Sequence, residues 1–108
     1  MTAHPPSLKI KLPLEKLAEF CRRWRITALG VFGSALREDF GPESDLDLLA
    51  TYEPEAPWSL LDRVRMQREL EEMLGHKVDL LSRRALEKSR RASAASILSQ
   101  SQLLYAQT

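Results

Sequence analysis

The segment Ile26–Phe32 limits the choice of fold more than any other part of the chain. Its sequence, ITALGVF, is rich in β-branched and apolar residues, shows no helical stripe and stops at Gly33. Such a run is typical of a strand that is buried in a protein core. The chain is therefore expected to build a sheet around this strand.

Helical and strand-like patterns alternate around that strand. Apolar residues with helical spacing predict one helix that opens at Pro13, one that follows the cap Ser59, and a last one over Ala94–Tyr105. Further strands are predicted over Leu46–Tyr52 and Lys77–Ser82. The order of helix, strand, short helix, strand, helix, strand and helix predicts an α+β fold. We expect a two-layer arrangement in which helices pack on a small mixed three-stranded sheet.

Length and composition indicate one globular domain. The chain has 108 residues, of which 44% are hydrophobic and 29% charged, and a formal charge of +1, values that are ordinary for a single domain. It contains no apolar run long enough to span a membrane, and residues 1–11 lack the apolar core of a signal peptide. We therefore expect a cytoplasmic protein with a flexible arm over residues 1–11 and one domain over residues 12–108.

The single cysteine, Cys21, limits the redox and metal chemistry of the chain. One cysteine can form neither an intrachain disulfide nor a thiolate metal cluster. Cys21 falls on the apolar side of the first predicted helix, so we expect a buried and inert thiol.

Two carboxylates stand at the beginning of the second predicted strand. Asp45 and Asp47 are two residues apart, so in a strand their side chains project from one face, about 7 Å apart at Cα, while Leu46 and Leu48 point into the core. Such carboxylates repel each other unless a cation lies between them, and Mg²⁺ commonly binds one or two carboxylates together with substrate phosphates. Asp79 leaves the core from the third strand, so three acids could hold two metal ions about 3.5 to 4 Å apart.

A glycine–serine step completes this chemistry. Gly33 permits close approach of the backbone to a ligand, and a short helix predicted to begin at Ser34 would present unpaired N–H groups to a triphosphate. Arg37, one turn further on, could reach the same phosphates. Each feature alone has a plainer explanation: an exposed strand end for the aspartates, an ordinary helix cap for Ser34 and an edge-strand charge for Asp79. Their combination in this order favours a metal–triphosphate site.

These residues give the chain a resemblance to a known family. The pattern of Gly33-Ser34, Arg37, SDLDL from Ser44 and VDL around Asp79 resembles the nucleotidyltransferase superfamily that includes DNA polymerase beta. Over roughly residues 14–106 the chain is similar to its minimal members, the MNT proteins that are encoded beside HEPN partners in prokaryotes. The chain has Glu38 where many superfamily members have glycine.

The resemblance implies roles for the residues of the site. The metal ligands and catalytic residues would be Asp45, Asp47 and Asp79, and Asp79 could also activate the acceptor hydroxyl. The nucleotide would be bound by Gly33, Ser34, Arg37 and Ser44. The resemblance further implies an antitoxin that uses ATP and Mg²⁺, with two metal ions, to transfer AMP to a hydroxyl of a HEPN ribonuclease toxin, a tyrosine in studied cases.

Other functions stay open at this point. The chain could mask its toxin by stoichiometric binding, or it could transfer nucleotides to a small molecule or to an RNA end. So little chain follows Asp79 that it provides only one closing helix, which favours an acceptor carried by a partner protein.

Two features outside the motif are candidates for interaction surfaces. Trp58 lies in a predicted loop, where it either packs on the core or serves an interface. A basic run at the start of the last helical region forms either a solvated face or a surface for RNA or an acidic partner; it contains Arg83, Arg84, Lys88, Arg90 and Arg91. Direct nucleic-acid binding is not expected, because aromatic residues are not interleaved with this run.

Overall fold

The structure is a computed structural model that describes residues 12–33, 44–90 and 94–107. In chain order its elements are α1 (Leu14–Arg23), β1 (Ile26–Phe32), β2 (Leu46–Tyr52), α2 (Leu60–Leu74), β3 (Val78–Ser82), α3 (Arg83–Glu87), α4 (Ala94–Gln100) and β4 (Gln102–Ala106). The predictions for the first three strands and for α1 and α2 are confirmed. The short helix predicted from Ser34 and the arm over residues 1–11 lie outside the described residues.

The strands form one sheet in the order β3-β2-β1-β4. Strand β1 pairs antiparallel with β2 on one edge and with β4 on the other. Strands β2 and β3 are parallel and are joined by α2. The sheet is therefore mixed, as predicted, but it has four strands instead of three.

The fourth strand corrects the prediction of one long helix over Ala94–Tyr105. Helix α4 ends at Gln100, and Gln102–Ala106 pairs with β1. Leu104 and Tyr105 are buried as the helical spacing suggested, but in a strand. The physical reason is the burial of β1: without β4, the backbone N–H and C=O groups along one edge of a buried strand would have no partners. The local pattern of side chains carries no information about this need for backbone hydrogen-bond partners.

The main core lies between the sheet and the two longer helices. It joins Leu17, Phe20 and Cys21 of α1 and Met66 and Leu70 of α2 to sheet residues such as Leu29, Val31, Leu46 and Leu48. A smaller cluster on the opposite face contains Phe32, Leu49, Leu86 and Ala94, so α3 and α4 add a partial cover that the two-layer description leaves out. No helix in the described ranges is long and apolar enough to cross a membrane.

Helix α2 has the start and stop signals expected from its sequence. The Ser59 hydroxyl accepts a hydrogen bond from the Asp62 amide (3.3 Å), and the Asp62 carboxylate accepts one from the Ser59 amide (3.0 Å), which forms a capping box. The hydrogen bonds that the Asp62 carboxylate accepts from the Ser59 amide and from the Ser59 hydroxyl lower the pKa of Asp62 from its ordinary value. At the other end Gly75 adopts a left-handed conformation with φ 70°.

We predict that Cys21 reacts with thiol reagents only when the protein unfolds. The residue is fully buried in the main core, and burial raises the pKa of its thiol to about 12, so the reactive thiolate is scarce at neutral pH. The rate of modification should follow the unfolding equilibrium as denaturant is added. A variant with an additional exposed thiol, Ala95→Cys, supplies the control; equally rapid labelling of Cys21 in native buffer would contradict the prediction.

Candidate active site

Strand pairing places two of the predicted carboxylates side by side. In the parallel pair Asp47 lies opposite Asp79, and in the antiparallel pair Asp47 lies opposite Phe32. Directly paired residues on neighbouring strands present their side chains on the same face of a sheet, with the strands about 4.8 Å apart. Asp47 is half-buried and Asp79 is exposed, so the pair stands at the solvent boundary of the sheet.

Alternation along β2 separates the acids from the core, as predicted. Leu46 and Leu48 are fully buried in the main core. Asp45 precedes the strand and is exposed, and Ser44 before it is half-buried. A shift of the strand by one residue would bury the carboxylates and expose the leucines, so the apolar residues of β2 hold the acids at the surface.

Gly33 lies against Asp47 at the end of β1. Its φ is 71°, in the left-handed region that favours glycine, and a Cβ atom at this position would collide with Asp47 Oδ2 and lie 3.3 Å from Asp47 Cγ. The backbone conformation therefore favours glycine at position 33, and a side chain there would displace the Asp47 carboxylate. The sequence motif anticipated the close backbone approach, but not that Asp47 itself would fill the space.

Glu71 positions the start of β3, a role that sequence reasoning missed. Its carboxylate accepts a hydrogen bond from the Val78 amide (3.0 Å), one residue before Asp79. The Lys77 carbonyl accepts a second one from the Leu46 amide (2.7 Å), which ties the start of β3 to the start of β2. A signal was present: Glu71 stands in the last turn of α2, where the helix dipole disfavours a negative charge unless another interaction compensates it.

The structure leaves part of the predicted site untested. Ser34 and Arg37 lie outside the described residues, and within residues 12–33, 44–90 and 94–107 no three acidic, histidine or cysteine side chains gather closely enough to hold a metal ion together. Joint metal binding by Asp45, Asp47 and Asp79 thus stays a prediction. The donor chemistry still fits Mg²⁺, because this ion needs only one or two carboxylates when substrate phosphates and water complete its coordination.

Comparison with known proteins points to one family. Residues 14–102 match the model of the nucleotidyltransferase domain. The protein adenylyltransferase MntA of Thermococcus cleftensis is 38% identical over 68 residues, which cover 63% of this chain and 67% of that protein. A Methanocaldococcus jannaschii protein inferred to be a protein adenylyltransferase is 33% identical over 64 residues, which cover 59% of this chain and only 63% of the relative.

Solved structures share the fold. A chain described as a minimal nucleotidyltransferase superposes with a TM-score of 0.64 at 31% identity, over 82% of this chain and 86% of that one. A chain from a Shewanella oneidensis complex between a tri-AMPylated HEPN toxin and its MNT antitoxin superposes with a TM-score of 0.60 at 18% identity, over 86% and 69% of the two chains.

We predict that Gly33→Ala destabilises the protein more than Gly75→Ala. Both glycines have φ near 70°, so alanine costs about 1 kcal/mol of backbone strain at either site. Only position 33 adds a collision, because a Cβ atom at Gly75 meets nothing within 4 Å. Denaturant unfolding should show an additional loss of about 1 kcal/mol or more for Gly33→Ala.

A double-mutant cycle identifies the source of that additional loss. In an Asp47→Ala background the colliding carboxylate is absent, so the cost of Gly33→Ala should fall to that of Gly75→Ala. An unchanged cost would mean that the contact between Gly33 and Asp47 is not what excludes a side chain at position 33.

We also predict that Glu71→Ala lowers the free energy of unfolding by about 1 to 2 kcal/mol, because it leaves the part-buried Val78 amide without its charged acceptor. Glu72→Ala, at the exposed neighbouring position, should stay within about 0.5 kcal/mol of wild type. Glu71→Gln should restore part of the loss, and hydrogen exchange of the Val78 amide should accelerate in Glu71→Ala alone. Equal effects of the two alanine substitutions would refute the positioning role.

Proposed function

Since the chain belongs to the nucleotidyltransferase domain family, we propose that it is a Mg²⁺-dependent protein adenylyltransferase and an antitoxin. It transfers AMP from ATP to the side-chain hydroxyl of a tyrosine in a cognate HEPN toxin and so neutralises that toxin. The observation that carries the proposal is the pairing of Asp47 with Asp79 at the end of the sheet where Gly33 lies against Asp47. The likeness to MntA supports protein as the acceptor, and the fold shared with the S. oneidensis complex supports a HEPN partner.

The three carboxylates have different roles in the proposed transfer. Asp45 and Asp47 would hold Mg²⁺, and the ion would neutralise charge on the phosphates of ATP. Asp79 stands on the edge strand β3, exposed to an incoming macromolecule, and takes the proton of the acceptor hydroxyl. The hydroxyl oxygen forms a bond to the α-phosphorus, the bond from that phosphorus to the bridging oxygen breaks, and pyrophosphate leaves.

The remaining residues of the site hold the nucleotide. The Gly33 backbone, which carries no side chain toward the ligand, leads into the Ser34 segment where the triphosphate binds. Arg37 and Ser44 contribute further donors to the phosphates. These four contacts follow from the resemblance of the motif and complete the proposed ATP site.

We predict that intact-mass spectrometry will detect AMP on the HEPN protein encoded beside this chain after incubation with the chain, ATP and Mg²⁺. Asp47→Asn and Asp45→Asn should abolish the added mass, and Asp79→Asn should slow its appearance by about 10²- to 10⁴-fold, as expected for the loss of a general base. Glu72→Gln, an exposed acid on α2, supplies the matched control.

The same experiment distinguishes the competing functions. A stable complex that neutralises the toxin without any added mass would replace catalysis with stoichiometric masking. Transfer that survives Asp47→Asn would show that the chemistry lies elsewhere in the chain. Transfer to a small molecule or an RNA end, with none to the HEPN protein, would keep the site and change the acceptor.

A further inference from the structure

A cavity opens at the opposite end of the parallel strands from the candidate active site. It has a volume of about 420 Å³ and lies between the end of β2, the loop before α2 and the start of α3. Its lining includes Tyr52, Trp58, Arg63 and Arg84. Along the strands the lining lies three residues from Asp79 at Ser82 and five residues from Asp47 at Tyr52, so the cavity is about 10 to 17 Å from the acids.

Aromatic side chains give this cavity a rigid wall. The Trp58 indole nitrogen donates a hydrogen bond to the Trp24 carbonyl (2.6 Å), and the two indole rings pack edge to face with centroids 5.1 Å apart. The Arg63 guanidinium lies 5.6 Å from the centre of the Tyr52 ring, within the range of a cation–π interaction. Trp58 thus packs on the protein, which was one of the two alternatives for it in the sequence, and it also faces the cavity.

The arginines of the cavity differ from its carboxylates in their ion pairing. Of its two carboxylates, Glu53 pairs with Arg25 (3.1 Å) and Glu87 pairs with Arg83 (3.5 Å). Its two arginines, Arg63 and Arg84, have no carboxylate within ion-pair distance among the residues that the structure describes. These two arginines are therefore available to an anionic group that can lie against the aromatic wall.

An apolar patch continues from the rim of the cavity. Leu60, Leu61 and Val64 on the first turns of α2 are 79%, 61% and 43% exposed, and they lie between or next to Trp58 and Arg63 in the sequence. Together they occupy a sector of about 100° of the helix surface. Within the described ranges the only other large apolar residue so exposed is Leu103 on β4, so exposure of this kind is concentrated at one place.

We propose that this cavity and the adjoining patch, which we call the α2 surface, dock the acceptor protein. This inference rests on the proposed function. The docked segment of the HEPN protein presents a carboxylate to Arg63 and Arg84 and flanks it with apolar side chains that cover Leu60, Leu61 and Val64. Tryptophan, tyrosine and arginine at the centre with apolar residues around them match the composition of protein–protein interfaces.

The distance to the acids identifies the occupant as a macromolecule. A ligand that fills the cavity and also delivers a hydroxyl to Asp79 must extend at least about 10 Å beyond the cavity along β3, which a folded partner does readily. The apolar patch lies outside the cavity, so only a partner larger than the cavity covers it. A second copy of this chain is disfavoured, because a symmetric contact would bring Arg63 and Arg84 of the two copies together without adding an unpaired carboxylate.

The test measures binding of the purified full chain to the HEPN protein separately from AMP transfer. Two variants address the surface: Leu60→Ser combined with Leu61→Ser, and Arg63→Glu combined with Arg84→Glu. Two matched controls change the same residue types elsewhere: Leu103→Ser on β4, and Arg22→Glu on the exposed side of α1. Circular dichroism and protection of the Cys21 thiol report whether each variant is folded.

We expect each surface variant to weaken binding by about tenfold or more, while both controls stay near wild type. AMP transfer should show a raised KM for the HEPN protein with kcat retained at saturation, because the chemistry lies at the other end of the strands. The affinity of wild type should also fall with ionic strength more steeply than that of the arginine variant.

Three outcomes would overturn the proposed docking site. They are wild-type affinity in the surface variants, equal losses of affinity in the controls, and no binding of the HEPN protein by the wild-type chain. The proposed function fails separately, if the wild-type chain binds the HEPN protein through the α2 surface but adds no AMP to it.

Discussion

The pairing of β2 on both of its edges is the constraint on which the candidate site depends. Because β1 binds one edge and β3 the other, the register of β2 cannot slip without breaking two sets of hydrogen bonds. The alternation of buried leucines with acids opposes the same slip, since it would place carboxylates in an apolar core. One row of residues, Phe32, Asp47 and Asp79, is thereby set across three strands, and the pairing fixes the positions of two of the three proposed carboxylates.

Much of this arrangement could be predicted because its signals are local. The β-branched run of β1, the capping signals of α2 and the alternation Asp45–Leu48 each follow from the residues themselves, and the structure places them as expected. Strand β4 could not be predicted in the same way. Its apolar spacing fits a helix as well as a strand. What decides between them is hydrogen bonding to the open edge of β1, which is far away in the sequence.

Glu71 illustrates a second kind of limit. A negative charge in the last turn of a helix is locally unfavourable, and its compensation by the Val78 amide appears only once the turn after α2 is built. Departures of this kind are informative because they mark positions at which a tertiary contact outweighs local preference. Here the contact connects the end of α2 to the strand that carries Asp79, so the helix positions an acid as well as covering the core.

The late position of β4 in the chain has a consequence for folding. The β1–β4 pair joins residues such as Val31 and Gln102, about seventy positions apart, so its formation carries a large loop-closure entropy and is expected to be a slow event. Until it forms, the apolar strand β1 has an open edge that can pair with other chains. This protein is therefore most prone to aggregate after β1 has been synthesised and before β4 has been. Pairing with β4 then covers the open edge of β1.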